Sequence, residues 1–154
     1  LLRAGLVMFV KAQIDCDCIE ASNGKQALQI ARQENIDLVI MDVEMPLMNG
    51  RDTFLHLRES KPHLKIIVLT YLLSDETLLY FVHHNANGFL QKDPEPPEIF
   101  QAISSVLKGK KHFPEKIIEA VHAKLPKILR EVEKLDLTPR EIQIDQEDSK
   151  RQDQ

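Results

Sequence analysis

The chain has 154 residues, 43% of them hydrophobic, with a formal charge of −4. That is room for one ordinary domain with an appendage and too little for two full domains. The acidic balance supplies no clustered basic face, so direct binding of nucleic acid by this chain is disfavoured. Its two cysteines, Cys16 and Cys18, stand too close in sequence for an undistorted disulfide. They read as buried free thiols in a reducing compartment, and the alternative of a metal-binding pair needs more ligands than one Cys-x-Cys.

The opening Leu1 to Val10 is apolar but too short to span a membrane, and no small-residue cleavage site precedes Lys11. No other stretch approaches a transmembrane length, so a soluble, cytoplasmic protein is the expectation. Leu2, Leu6, Phe9 and Val10 share one side of a helix, which predicts an amphipathic helix over residues 1 to about 12. It has no capping signal, and the chain has no initiating methionine, so it reads as beginning part-way through something longer. Ile14 to Ala21 alternates, with Ile14, Cys16 and Cys18 on one face and Asp15 and Asp17 on the other, which predicts an edge strand. Ser22-Asn23-Gly24 turns the chain into a short helix carrying Ala27, Leu28, Ile30 and Ala31.

Leu38-Val39-Ile40-Met41 is an unbroken apolar run ending in Asp42, followed by Pro46 and Asn49-Gly50. It predicts a strand buried on both faces that delivers an acid to a loop, with Gly50 allowing a positive φ or a close backbone approach. A helix with Phe54 and Leu57 should stop near Lys61-Pro62. The run Leu64 to Thr70 predicts a second buried strand, ending in a hydroxyl. Ser74 and Asp75 are candidate caps for a helix with Leu78, Leu79 and Val82, and His83 and His84 read as solvated positions at its C-terminus. Asn87-Gly88 then leads into a short strand, Phe89-Leu90-Gln91, ending at Lys92. Pro94, Pro96 and Pro97 separate it from a helix with Ile99, Ile103, Val106 and Leu107 that should stop at Gly109. Parallel strands place their carboxyl ends together, so Asp42, Thr70 and Lys92 should converge at one sheet edge. Taken singly, Thr70 reads as an ordinary strand-end threonine and Lys92 as a solvated lysine; the ordered trio is what points to a site.

Pro114 suits the first turn of another helix. Ile118, Val121, Leu125, Ile128, Val132 and Leu135 recur at spacings of three and four, a coiled-coil-like seam that Pro126 should kink. It reads either as a homodimer seam or as a helix packed on its own domain. Leu137-Thr138-Pro139-Arg140-Glu141-Ile142 forms a capping box, and residues 145–154 are polar, charged and aperiodic, as in a disordered tail.

The segment Leu38-Val39-Ile40-Met41-Asp42 with Met45-Pro46 and Met48-Asn49-Gly50, together with Val68-Leu69-Thr70 and Asn87 to Asp93, resembles the receiver domain of response regulators. Leu137 to Ile142 resembles the opening of the helix-turn-helix domain in regulators of the NarL/LuxR type. The resemblance implies an α/β, flavodoxin-like, doubly wound parallel sheet, here lacking the first strand with its acidic pair, followed by a C-terminal linker helix. Residues 1–110 would form the receiver-like domain, 111–136 the helical linker, and 137–154 the start of a helix-turn-helix domain and a polar tail.

It further implies a phosphoacceptor module of a two-component transcription regulator, phosphorylated by a histidine kinase or phosphotransfer protein. Asp42 would be the phosphoacceptor, Thr70 would hydrogen-bond a phosphoryl oxygen, Lys92 would offset its charge, and Phe89 would be the aromatic switch residue. Mg2+ would be held by Asp42 and the backbone carbonyl of Glu44, weakly because the acidic pair is absent. Two alternatives stand beside this reading. One is an interaction module that works without phosphate; the other is a phosphatase with an aspartyl nucleophile, for which Glu44 stands where such enzymes have a second aspartate.

Overall fold

The computed structural model describes residues 2–44, 49–71, 74–115, 118–119 and 122–123. The elements run α1 (Leu2–Gln13), α2 (Gly24–Gln33), β1 (Leu38–Asp42), α3 (Gly50–Ser60), β2 (Lys65–Thr70), α4 (Asp75–His83), β3 (Gly88–Gln91) and α5 (Pro96–Leu107). The chain divides into two compact units: Leu1–Leu72 with Ala86–His112, and Leu73–Asn85 with Phe113–Gln154.

The first unit holds an open parallel sheet in the order β1-β2-β3. Each strand is one of the apolar runs; β2 and β3 are largely buried, but β1, paired on one side only among the described residues, is half-buried at every residue except Met41, so the expectation of burial on both faces holds there only in part. β2 is central, and Ile66, Ile67 and Val68 are fully buried. Successive side chains leave on opposite faces. Leu38, Ile40, Ile67, Leu69 and Leu90 therefore share one face, where they pack with Val10 of α1 and with Ile99, Ala102, Ile103 and Val106 of α5. Val68 and Phe89, neighbours in register, are both fully buried and point the other way. α2 and α3 pack against each other, and α3 buries Phe54 and Leu57.

Two long-range ties lock the amino ends of β2 and β3. The Asn87 side-chain oxygen accepts from the Ile66 N–H (2.9 Å) and from the Arg58 guanidinium (3.0 Å), while Arg58 also donates to the carbonyls of Pro62 and Leu64. After α5, Gly109 takes φ +87°, the left-handed conformation that ends helices. His112 then bridges the start of β3, its N–H donating to Asn87 O (3.0 Å) and its carbonyl accepting from Phe89 N–H (2.9 Å).

In the second unit, Ser74 caps α4 by accepting from the Thr77 N–H (3.1 Å). Leu78 and Phe81 are buried. His83 is exposed, as expected. His84 is not solvated: it is half-buried, its ring stacks on Tyr80 at 4.3 Å, and Nδ1 lies 2.8 Å from Tyr80 O. The Ile118 N–H donates to Pro114 O at 3.0 Å, a first helical turn where Pro114 predicts one. The rest of the 118–135 seam and the Leu137 to Ile142 capping box fall outside the described residues.

Three further expectations need correction. Ile14 to Ala21 is not a strand: it belongs to no sheet. The Arg3 side chain ties Glu20 (3.0 Å) and the Ala21 carbonyl (3.1 Å) back toward α1. Alternation specifies which residues share a face, but a strand forms only where ladder partners exist. For the same reason the thiols are not buried: Cys16 is exposed and Cys18 half-buried. Pro96 and Pro97 do not precede α5 but open it, where a proline's missing N–H costs nothing and its fixed φ suits a helix.

Candidate functional site at the carboxyl edge of the sheet

Register places the ends of the three strands side by side, with Asp42 opposite Leu69 and Thr70 opposite Gln91. Pairing continues one residue past β1, where the Val43 N–H donates to Leu69 O (3.2 Å). Val43 and Gly50 are tied directly to each other. The Gly50 N–H donates to Val43 O at 2.8 Å, and a Cβ on Gly50 would overlap the Val43 backbone, so the glycine serves close approach and not a positive φ. Asn49 caps α3, its Oδ1 accepting from the Asp52 N–H (2.9 Å). Asp42 thus ends a strand whose next residue, Val43, is held both by β2 and by the start of α3.

Lys92 reaches across from the end of β3. Its Nζ lies 2.7 Å from Asp42 Oδ2 and 3.3 Å from Glu44 Oε1, and its main-chain N–H donates to Thr70 O (2.7 Å). The Glu44 N–H donates to Asp42 Oδ1 at 2.8 Å. The Lys92 side chain is 11% exposed and that of Asp42 31%: the ammonium is shielded and the carboxylate stays open to a ligand. Burial by itself lowers the Lys92 pKa. The hydrogen bonds and negative charge of Asp42 and Glu44 outweigh it and hold the ammonium above its ordinary value. Thr70 is buried at the same edge. Phe89 is fully buried three residues before Lys92.

In the receiver reading Glu44 was expected to act through its carbonyl, whereas its carboxylate also pairs with Lys92. Sequence reasoning missed Tyr71, whose ring lies 4.8 Å from Lys92 Nζ and whose hydroxyl donates to Asp93 (3.3 Å). An ammonium against an aromatic face is attracted by the ring quadrupole. The only signal was position, directly after Thr70 in a strand-exit loop.

As a metal site this edge offers the Asp42 carboxylate and the Glu44 carbonyl. Among the described residues no group of three or more His, Cys, Asp or Glu side chains could hold a cation. Magnesium takes six oxygen ligands, several of them water and phosphate, so these residues meet its needs only in part.

An acid, a hydroxyl and an ammonium at the carboxyl edge of an open parallel sheet define an α/β domain arranged to take an anion there. The response regulator receiver domain model matches residues 1–104, and the chain belongs to that family. The nitrate/nitrite response regulator NarL of Escherichia coli K12 is 31% identical over 147 residues, covering 94% of this chain and 68% of that protein. The transcriptional regulatory protein LnrK of Bacillus subtilis 168 is 30% identical over 154 residues, covering 94% and 70%. The fold matches the receiver domain of RcsB from Salmonella enterica serovar Typhimurium, solved with a beryllofluoride phosphomimetic, at TM-score 0.68 and 21% identity over 76% of this chain and 88% of that one. It also matches a LuxR-family regulator from Aurantimonas at TM-score 0.72 and 22% identity, over 80% and 89%.

The chain is thus a flavodoxin-like receiver domain of a two-component response regulator, with relatives among NarL/LuxR-type transcription regulators. Receivers accept a phosphoryl group on an aspartate from histidine kinases or other phosphodonors and bind Mg2+ through acidic residues. No helix among the described residues is long and apolar enough to cross a membrane.

Proposed function

We propose that Asp42 is the phosphoacceptor, and the observation that carries this is the Lys92 Nζ to Asp42 Oδ2 contact at 2.7 Å beside the end of the Thr70 strand. A carboxylate oxygen of Asp42 attacks phosphorus, the bond to the donor imidazole of a partner kinase or phosphotransfer protein breaks, and the imidazole leaves with a proton. Lys92 then faces phosphoryl charge in place of carboxylate charge, and Thr70 supplies a hydroxyl to a phosphoryl oxygen. Phe89 is the switch residue that follows Thr70. Asp42 and the Glu44 carbonyl would hold Mg2+, which supplies charge neutralisation to the transferred group; with one carboxylate among the described donors, affinity is weak. The chain acts as a substrate for its kinase and not as an enzyme, works in the cytoplasm, binds no nucleic acid itself, and forms a homodimer through the seam that starts near Ile118. Residues 1–110 act as the receiver, 111–136 as a linker and 137–154 as the start of a further domain.

The test is labelling by radioactive acetyl phosphate in the presence of magnesium. The wild-type chain takes label and Asp42→Asn does not; equal labelling of both would remove the proposal. A phosphate-independent interaction module is the second reading, favoured by the lack of a three-acid cluster among the described residues, and it predicts no label in either chain. The phosphatase reading gains no support, since the second acid is a glutamate, Glu44, and not the aspartate such enzymes carry.

A further inference from the structure

Outside the phosphoacceptor edge, one pair of reactive groups has no part in the chemistry above. Cys16 and Cys18 sit two residues apart in a segment that belongs to no helix or sheet. Their Sγ atoms are 3.9 Å apart. Two thiolates about 2.3 Å from one shared cation stand about 3.8 Å apart at a tetrahedral angle and up to about 4.6 Å apart as the angle opens toward linear; the pair already lies at the near end of that range. It is poorly set for a disulfide. One intervening residue leaves too little chain to reach disulfide geometry without distorting the backbone.

Cys18 is half-buried against the cluster that contains Val10, which fixes one thiol, while Cys16 is exposed and gives an ion its way in. Burial, with the neighbouring Cys16 thiol, raises the Cys18 pKa, and Lys11 opposes this more weakly. The Cys18 thiol is thereby held in its protonated form, and an ion must displace that proton.

We infer that Cys16 and Cys18 form a two-thiolate chelate for a soft, thiophilic cation, with monovalent copper as the best match. No cluster of three ligating side chains occurs among the described residues, which favours an ion content with few soft ligands over zinc, which wants four. Binding of one monovalent ion releases two protons and leaves a complex of charge −1.

The experiment is anaerobic competition of the reduced full chain with bicinchoninate for monovalent copper, read by the loss of the coloured chelate. The wild type withdraws one equivalent. Because each thiol raises the effective concentration of the other, Cys16→Ser and Cys18→Ser each weaken retention by about a hundredfold or more, with thermal melting unchanged, and bound copper shields both thiols from iodoacetamide. A parallel zinc titration gives weaker retention. The inference is overturned if the doubly substituted chain competes as well as wild type, if only one of the two cysteines matters, or if wild type withdraws no copper. Zinc held as tightly as copper overturns the choice of a monovalent ion.

Discussion

Lys92 is where the site closes, since one ammonium meets Asp42, Glu44 and the face of Tyr71. Lys92→Met removes both ion pairs. With Asp42 partly open and Glu44 mostly exposed, screening limits the loss to about 1–2 kcal/mol, to be read from urea midpoints. The raised pKa of Lys92 fixes the sign of its pH dependence: its contribution is complete below the ordinary lysine pKa and fades as pH rises through the folded value. The stability gap between wild type and Lys92→Met is therefore flat through neutrality and narrows in strong base. His112 behaves oppositely. Burial lowers its pKa, against a weaker raising effect of Glu98, and its Nε2 is buried without a hydrogen-bond partner. The unfolded chain thus binds the proton more readily, and stability is full above about pH 6.5 and falls as pH drops toward the folded value. His112→Gln should flatten that acid limb; an unchanged limb would exclude His112 as its source. At Gly50, alanine must displace the Val43 backbone at a cost of about 1–3 kcal/mol, and the same shift should slow phosphorylation at Asp42, two points checked by melting and by labelling rate.

Among the elements, the clamp of α3 on the strand starts is the least visible from sequence and the easiest to break. Asn87→Ala strips the Ile66 N–H of its acceptor and the Arg58 guanidinium of one partner. About 1–3 kcal/mol should be lost, and hydrogen exchange should quicken first at Ile66. The three strands were legible because each is an uninterrupted apolar run, and α4 because Ser74 caps it. The clamp was not, since Arg58 and Asn87 are 29 residues apart and no periodicity links them. The Ile14 to Ala21 misreading has the opposite cause: local alternation was present but the partner was not. At the site, the meeting of Asp42 with Lys92 followed from strand order alone, whereas the side-chain pairing of Glu44 and the stacking of Tyr71 depend on loop paths that composition does not encode.

At the scale of the whole molecule, the receiver unit presents the Asp42 carboxylate at a sheet edge, and the spacing of apolar residues from Ile118 to Leu135 predicts a row that needs a partner surface. If that row is a homodimer seam, Val132→Glu lowers the sedimenting mass; unchanged mass with lowered stability would place it on its own domain instead. Either way, the fold serves to hold Asp42 beside Lys92, and chemistry at Asp42 is what the account stands on. The most direct measurement is to treat the full chain with phosphoramidate and magnesium, reduce the acyl phosphate with borohydride, and locate the resulting homoserine by peptide mass spectrometry. The account predicts homoserine at position 42 and at no other acid. Modification at another carboxylate such as Asp15, Asp17 or Asp37, or none at all, would contradict it.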